Sequence, residues 1–146
     1  AVYVFLPHIT NVIAATKPKR TIILTIACML YFLSWFIPSP LIQGKNTSFN
    51  THLIGGGIFS GFVWLYIKNC LKWKNSWYIE LASLFAFVSA LGVLNELFEL
   101  AIVQFRYVKR LNITDTSWDL LANTLGVMLF WIGYRLLVVF RKRHDT

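Results

Sequence analysis

The sequence predicts an all-α integral membrane bundle: four transmembrane helices preceded by a short apolar segment that lies in the membrane interface. Three observations carry this expectation. Of the 146 residues, 57% are hydrophobic and 16% aromatic. Only 14% are charged, against about 25% in soluble domains. The apolar residues also gather into four stretches near the ~20 residues that a helix needs to cross a ~30 Å hydrocarbon core. A chain this short cannot hide so much apolar surface in one water-soluble core. The composition further excludes a disordered chain, a coiled coil and a zinc finger. A single membrane domain over 1–146 is expected.

The elements follow in order. Residues 1–16 are apolar but short and contain Pro7, His8 and Asn11. They read as an interfacial helix or as the remnant of a fifth span, and they lack the basic start of a signal peptide. The first span covers 21–38 and is uncharged. The second covers 52–67, with Thr51 and the aromatics near Lys68 extending it into the interfaces. The third covers 76–103, longer than one crossing requires, so it must tilt or project into water. The fourth covers 117–140.

The net charge of +8 then acquires a location. Lys17, Lys19 and Arg20 precede the first span. Lys68, Lys72 and Lys74 separate the second from the third, and Arg135, Arg141, Lys142 and Arg143 close the fourth. Ten of the 14 Lys and Arg thus fall on one side, while Lys45, Arg106, Lys109 and Arg110 fall on the other. The positive-inside rule makes the first side, with the C-terminus, cytoplasmic. The charge marks a membrane face and gives no support for nucleic-acid binding. Trp73, Trp77 and Tyr78 read as an aromatic belt at that face, with Trp35 and Trp118 near the opposite one. Cys28 and Cys70 belong at different depths, so no disulfide is expected. Asn46-Thr47-Ser48 and Asn112-Ile113-Thr114 match the glycosylation acceptor pattern on the outer side.

Ionisable groups within spans are costly, ~2.5–3.5 kcal/mol each at a helix centre. Here they are few and grouped. His52 opens the second span; Asn95, Glu96 and Glu99 lie late in the third; Asp115, Asp119 and Asn123 lie early in the fourth. Glu96 follows Trp77 by about 20 residues, or ~30 Å of helix, which places it near the outer surface. All three groups therefore reach one level, with Arg106, Lys109 and Arg110 just beyond. Glu96 and Glu99 share a helix face, as do Asp115, Asp119 and Asn123. Two acidic faces at one depth call for a cation between them or a shared proton. Glu96, Glu99, Asp115, Asp119 and His52 form a candidate ligand set for a divalent cation. Arg106 and Arg110 suit an anionic head group.

Plainer readings compete. Thr116-x-x-Asp119 fits a capping box. Glu96 and Glu99 can pair with Arg106 or Arg110 at a helix end. His52 can cap or sit wet at the interface, and Glu80 can be merely solvated. Gly55, Gly56, Gly57, Ser60 and Gly61 form a smooth face, with Gly57 and Gly61 as G-x-x-x-G; intramolecular packing is the expected use.

The stretch His52-Leu53-Ile54-Gly55-Gly56-Gly57, then Asn95-Glu96-Leu97-Phe98-Glu99, then Asp119-Leu120-Leu121-Ala122-Asn123-Thr124-Leu125-Gly126 resembles the VanZ-like membrane proteins. Glu99 replaces the Gln usual there, and the family's Arg and closely spaced acid before the last Asp have no clean match. Glu96-Leu97-Phe98-Glu99 and Asp115-Thr116-Ser117-Trp118-Asp119 are similar to patterns of the YjdF-like inner-membrane proteins. The resemblance implies a multi-pass protein of a bacterial inner or plasma membrane, with a link to glycopeptide-antibiotic resistance. It supplies no catalytic mechanism. Three functions are therefore carried: a polar outer-leaflet site for a lipid head group or small polar ligand, a metal-dependent hydrolase of a lipid phosphate, and an accessory subunit of a larger membrane complex. No P-loop, H-E-x-x-H or G-x-S-x-G signature favours the enzyme. The expected partners are membrane lipids and other membrane subunits.

Overall fold

The computed structural model of the chain describes residues 5–9, 21–42, 45–105 and 113–144. Helix α1 (Thr21–Ser34) leads through a two-residue antiparallel hairpin, β1 (Leu41–Ile42) and β2 (Lys45–Asn46), into a π-helical segment (Thr51–Ile58). That segment runs without a break into α2 (Phe59–Cys70), followed by α3 (Trp77–Gln104) and α4 (Ile113–His144). Apart from the hairpin, the described fold is all-helical.

Two helical stretches, Trp77–Gln104 and Thr116–Arg141, are long and apolar enough to cross a membrane. Only 17% and 28% of their most apolar windows are buried. Leu94, Phe98 and Leu137, like Phe32 on α1, point outward. Water does not tolerate a continuous apolar exterior of this kind, so the chain is a membrane protein. The first expected span is shorter than its apolar run. α1 ends at Ser34, whose hydroxyl donates to the Tyr31 carbonyl at 2.6 Å. Pro38 and Pro40 then prevent the helix from resuming. Its 14 residues reach ~21 Å at 1.5 Å per residue, short of a full crossing. Of the N-terminal segment, residues 5–9 are helical, and Leu6 packs against the cluster of Leu24, Val63 and Tyr66 between α1 and α2. The rest of that segment, with Lys17, Lys19 and Arg20, lies outside the described residues.

The main core joins α2, α3 and α4 through Trp64, Leu84, Val88, Val127 and Phe130. The Phe62 and Phe130 rings meet edge-on at 5.1 Å. Close helix approach makes this packing possible. A Cβ at Gly61 would strike the Phe130 ring at 2.5 Å, and one at Gly57 would lie 2.7 Å from Gly126 Cα. The smooth face is thus spent within the chain, Gly56, Gly57 and Gly61 against α4 and Gly55 against α1. Cys28 and Cys70 are not joined to each other.

At the opposite end of the bundle from His52, the expectation for Glu80 is corrected. Glu80 is not simply solvated: it is 9% exposed and pairs with Lys68 at 2.5 Å. Lys68 is held from several sides. Its ammonium donates to the Tyr134 hydroxyl at 2.6 Å and stands 5.4 Å from the Trp64 ring centre. The pairing follows from helix ends: Lys68 closes α2 and Glu80 opens α3, and the turn between them brings the two together. Lys72, with φ 52°, terminates α2, and the Trp73 amide donates to the Lys68 carbonyl at 3.0 Å. Replacing Lys68 by methionine should destabilise the fold by about 2 kcal/mol. The unpaired buried carboxylate sets the cost, and its place in the first turn of α3 moderates it. The Lys68→Met, Glu80→Gln double variant should recover most of the loss in thermal unfolding.

Candidate functional site

The site is built where the π-helical segment crosses the start of α4. Asn50 fixes the approach: its backbone amide donates to Ser39 Oγ at 3.0 Å, and its side-chain amide donates to the Pro38 carbonyl at 2.7 Å. Phe49 meets Trp118 edge-on at 6.4 Å. These contacts tie the loop to the segment that follows α1 and, through Trp118, to α4.

The π geometry then decides what faces α4. In an α-helix, residues five apart point ~140° away from each other. A π-turn closes its hydrogen bonds between residues five apart and stacks them on one side. His52 and Gly57 are five apart. Both face α4, His52 toward Asp119 and Gly57 toward Gly126. The consecutive glycines serve different neighbours. A Cβ at Gly55 would lie 2.9 Å from Ser34 Oγ of α1, while one at Gly56 would collide with Asn123 Oδ1 of α4. A Cβ at Gly126 would collide with the Leu53 carbonyl oxygen. Side chains at Gly56 or Gly126 would push the segment away from α4 and carry His52 with it.

His52 Nε2 stands 3.3 Å from Asp119 Oδ1, with the two side chains 17% and 6% exposed. Glu96 of α3 completes a triad: one ligand atom each from His52, Glu96 and Asp119 lie within 4.8 Å of one another. Both Glu96 carboxylate oxygens are buried and lack a hydrogen-bond partner among the described residues. Leaving such a group unsatisfied costs ~1–3 kcal/mol, more when it is charged. Ligands bound at ~2.1 Å to a common ion stand at most ~4.2 Å apart. That limit holds for two opposed ligands; around a tetrahedral ion ligand atoms stand ~3.4 Å apart, a spacing that His52 Nε2 and Asp119 Oδ1 already have and that Glu96 reaches by a rotamer change.

Asn123 lies one helical turn below Asp119, 6% exposed, with Oδ1 unpartnered among the described residues. Its Nδ2 would be 3.2 Å from a Cβ at Gly92 of α3. Asn95 donates to Glu99 Oε1 at 2.8 Å. Both of these residues line a cavity of about 390 Å³ beside the triad, together with His52, Asn123 and an apolar wall. The sequence-expected residues therefore divide. His52, Glu96 and Asp119 converge. Asn95, Glu99 and Asn123 border the adjoining cavity. Asp115 falls in the first turn of α4, but its side chain, like Arg106, Lys109 and Arg110, lies outside the described residues. The same holds for the acceptor asparagines at 46 and 112. The capping-box reading of Asp119 does not fit, because α4 begins at Ile113, six residues earlier.

Sequence reasoning missed the glycine contacts of Asn123 and the role of Gly92 as its neighbour. The only sequence signal was a small residue on α3 one turn before Asn95.

No family model matches this chain. It is 27% identical over 138 residues to human 3-oxo-5-alpha-steroid 4-dehydrogenase 2, covering 82% of this chain and 51% of that protein. The chain spans about half the length of this curated relative. No solved structure matches.

Proposed function

We propose that the chain is a VanZ-like protein of a bacterial cell membrane whose His52, Glu96 and Asp119 hold a divalent cation and, through it, the polar head of a membrane lipid. The observation that carries this reading is the convergence of the triad from three separate helical segments, with both Glu96 oxygens otherwise unsatisfied among the described residues. One imidazole and two carboxylates suit Zn²⁺, Mn²⁺ or Fe²⁺ better than Ca²⁺ or Mg²⁺, which favour all-oxygen shells. Three protein ligands leave coordination positions for a phosphate or hydroxyl oxygen.

The expected topology is four crossings, formed by α1 with its flanks, by 51–70, by α3 and by α4, with the C-terminus cytoplasmic. Two features support it. The segment 51–70 is one continuous helical path. Each of three helical segments also carries polar residues at two levels: His52 and Lys68, Glu96 and Glu80, Asp119 and Tyr134. Each pair is 15 or 16 residues apart, roughly 24 Å along a helix. A lipid-phosphate hydrolase built on the same cation remains the second reading, favoured by the open coordination positions.

The test is direct. Purified protein in detergent, titrated with Mn²⁺ or Zn²⁺ and read by calorimetry or elemental analysis, should bind one ion per chain. Absence of binding to either metal overturns the proposal.

A further inference from the structure

α1 and α3 make no backbone contact with each other; the π-helical segment and α2 contact both and lie between them. The 390 Å³ cavity occupies that gap. Its wall is largely apolar, formed by Tyr31 and Phe59 on one side and Val88 and Leu91 on the other. Tyr31 and Leu91, each more than a third exposed, stand at its rim on outward faces of their helices. Its lining also carries His52, Glu99 and the buried Asn123, whose Oδ1 is unpartnered among the described residues. The volume falls within the 300–1,000 Å³ of small-molecule sites.

Resting on the cation reading above, we propose that this cavity takes the hydrocarbon chain of an amphiphile. Its oxygen-rich head reaches the triad, and the molecule enters sideways between α1 and α3. The ligand is then an intact lipid drawn from the bilayer, and a free head group arriving from water would leave most of the site unused. Three features select this occupant. The mouth lies between two helices whose outer faces are apolar, so its entrance is from hydrocarbon. Aromatic and aliphatic groups line the path. Most of its polar groups, His52, Asn95, Glu99 and Asn123, gather on the side next to the triad, which matches a molecule with one polar terminus. Asn123 stands at the junction and is placed to bond the group linking head to chain.

The experiment uses a series of n-alkyl phosphates from ethyl to octyl, with affinities referred to free aqueous concentration, on detergent-purified protein loaded with Mn²⁺. Burial of each added methylene is worth roughly three- to four-fold in binding. Octyl phosphate should therefore bind more than ten-fold tighter than ethyl phosphate. Leu91→Trp, which narrows the cavity from its exposed rim, should reduce that difference and leave Mn²⁺ binding unchanged. Tyr31→Ala, at the rim and outside the core, is the second variant, and it should weaken octyl phosphate alone. Mn²⁺ binding with no dependence on chain length overturns the cavity proposal while leaving the cation site standing. Chain-length dependence unaltered in both variants also overturns it. Failure of Mn²⁺ to bind overturns the reading beneath it, and this proposal with it.

Discussion

Glu96→Gln and Asp119→Asn, made separately, should each lower divalent-cation affinity by at least 100-fold while the protein stays folded. The amides preserve volume and remove charge. Each takes away one of two anionic ligands, and an amide oxygen is a poor substitute on Zn²⁺ or Mn²⁺. The stability effects should have opposite signs. Glu96 has two buried oxygens without partners among the described residues, so neutralising it relieves a cost, and Glu96→Gln should raise the metal-free melting temperature. Asp119 pairs with His52, so Asp119→Asn removes a contact and should lower it. Thermal unfolding of both variants in excess EDTA checks the pair of signs. Cation titration checks the affinity. Wild-type affinity in both variants would reduce the triad to a helix-packing contact.

The second large effect is expected at Gly126. A Cβ there would collide with the Leu53 carbonyl oxygen and lie 3.0 Å from Gly57 Cα. Both are backbone atoms that cannot rotate away, so α4 and the π-helical segment must separate. Overpacking typically costs 1–3 kcal/mol, and backbone collisions fall at or above the upper end, so Gly126→Leu should lose ~3 kcal/mol or more. It should also abolish cation binding, because the displaced segment carries His52 away from Asp119. Gly133 has nothing within 4 Å of its Cβ position. Gly133→Ala is therefore the control in the same helix and should be neutral or slightly stabilising. The comparison separates a loss due to close packing from a general dislike of side chains on α4.

These expectations also show where the sequence was informative. The positions of α3 and α4 follow from long apolar runs, and the shared depth of His52, Glu96 and Asp119 follows from counting residues inward from aromatic and basic markers. Depth does not give rotation about a helix axis, which is where the reading stops. G-x-x-x-G announces that something comes close to Gly57 and Gly61 but not that the partners are Gly126 and Phe130. α-Helical spacing puts His52 and Gly57 on opposed faces, and only the π geometry brings both toward α4. Lys68 and Glu80 illustrate the same limit. Each looks like an interfacial charge when counted along its own helix, and their pairing depends on how two helices are turned toward each other. The early end of α1 was written in Pro38 and Pro40, but the uncharged run through them masked it.

The central claim is that three separate helical segments converge to hold one cation. Crystals grown with Mn²⁺, measured at a wavelength where manganese scatters anomalously, test it most directly. The account predicts a single anomalous peak at bonding distance from His52 Nε2 and from a carboxylate oxygen of both Glu96 and Asp119, at the head of the cavity between α1 and α3. A triad ordered as described, with the manganese peak elsewhere or absent at saturating metal, would contradict it.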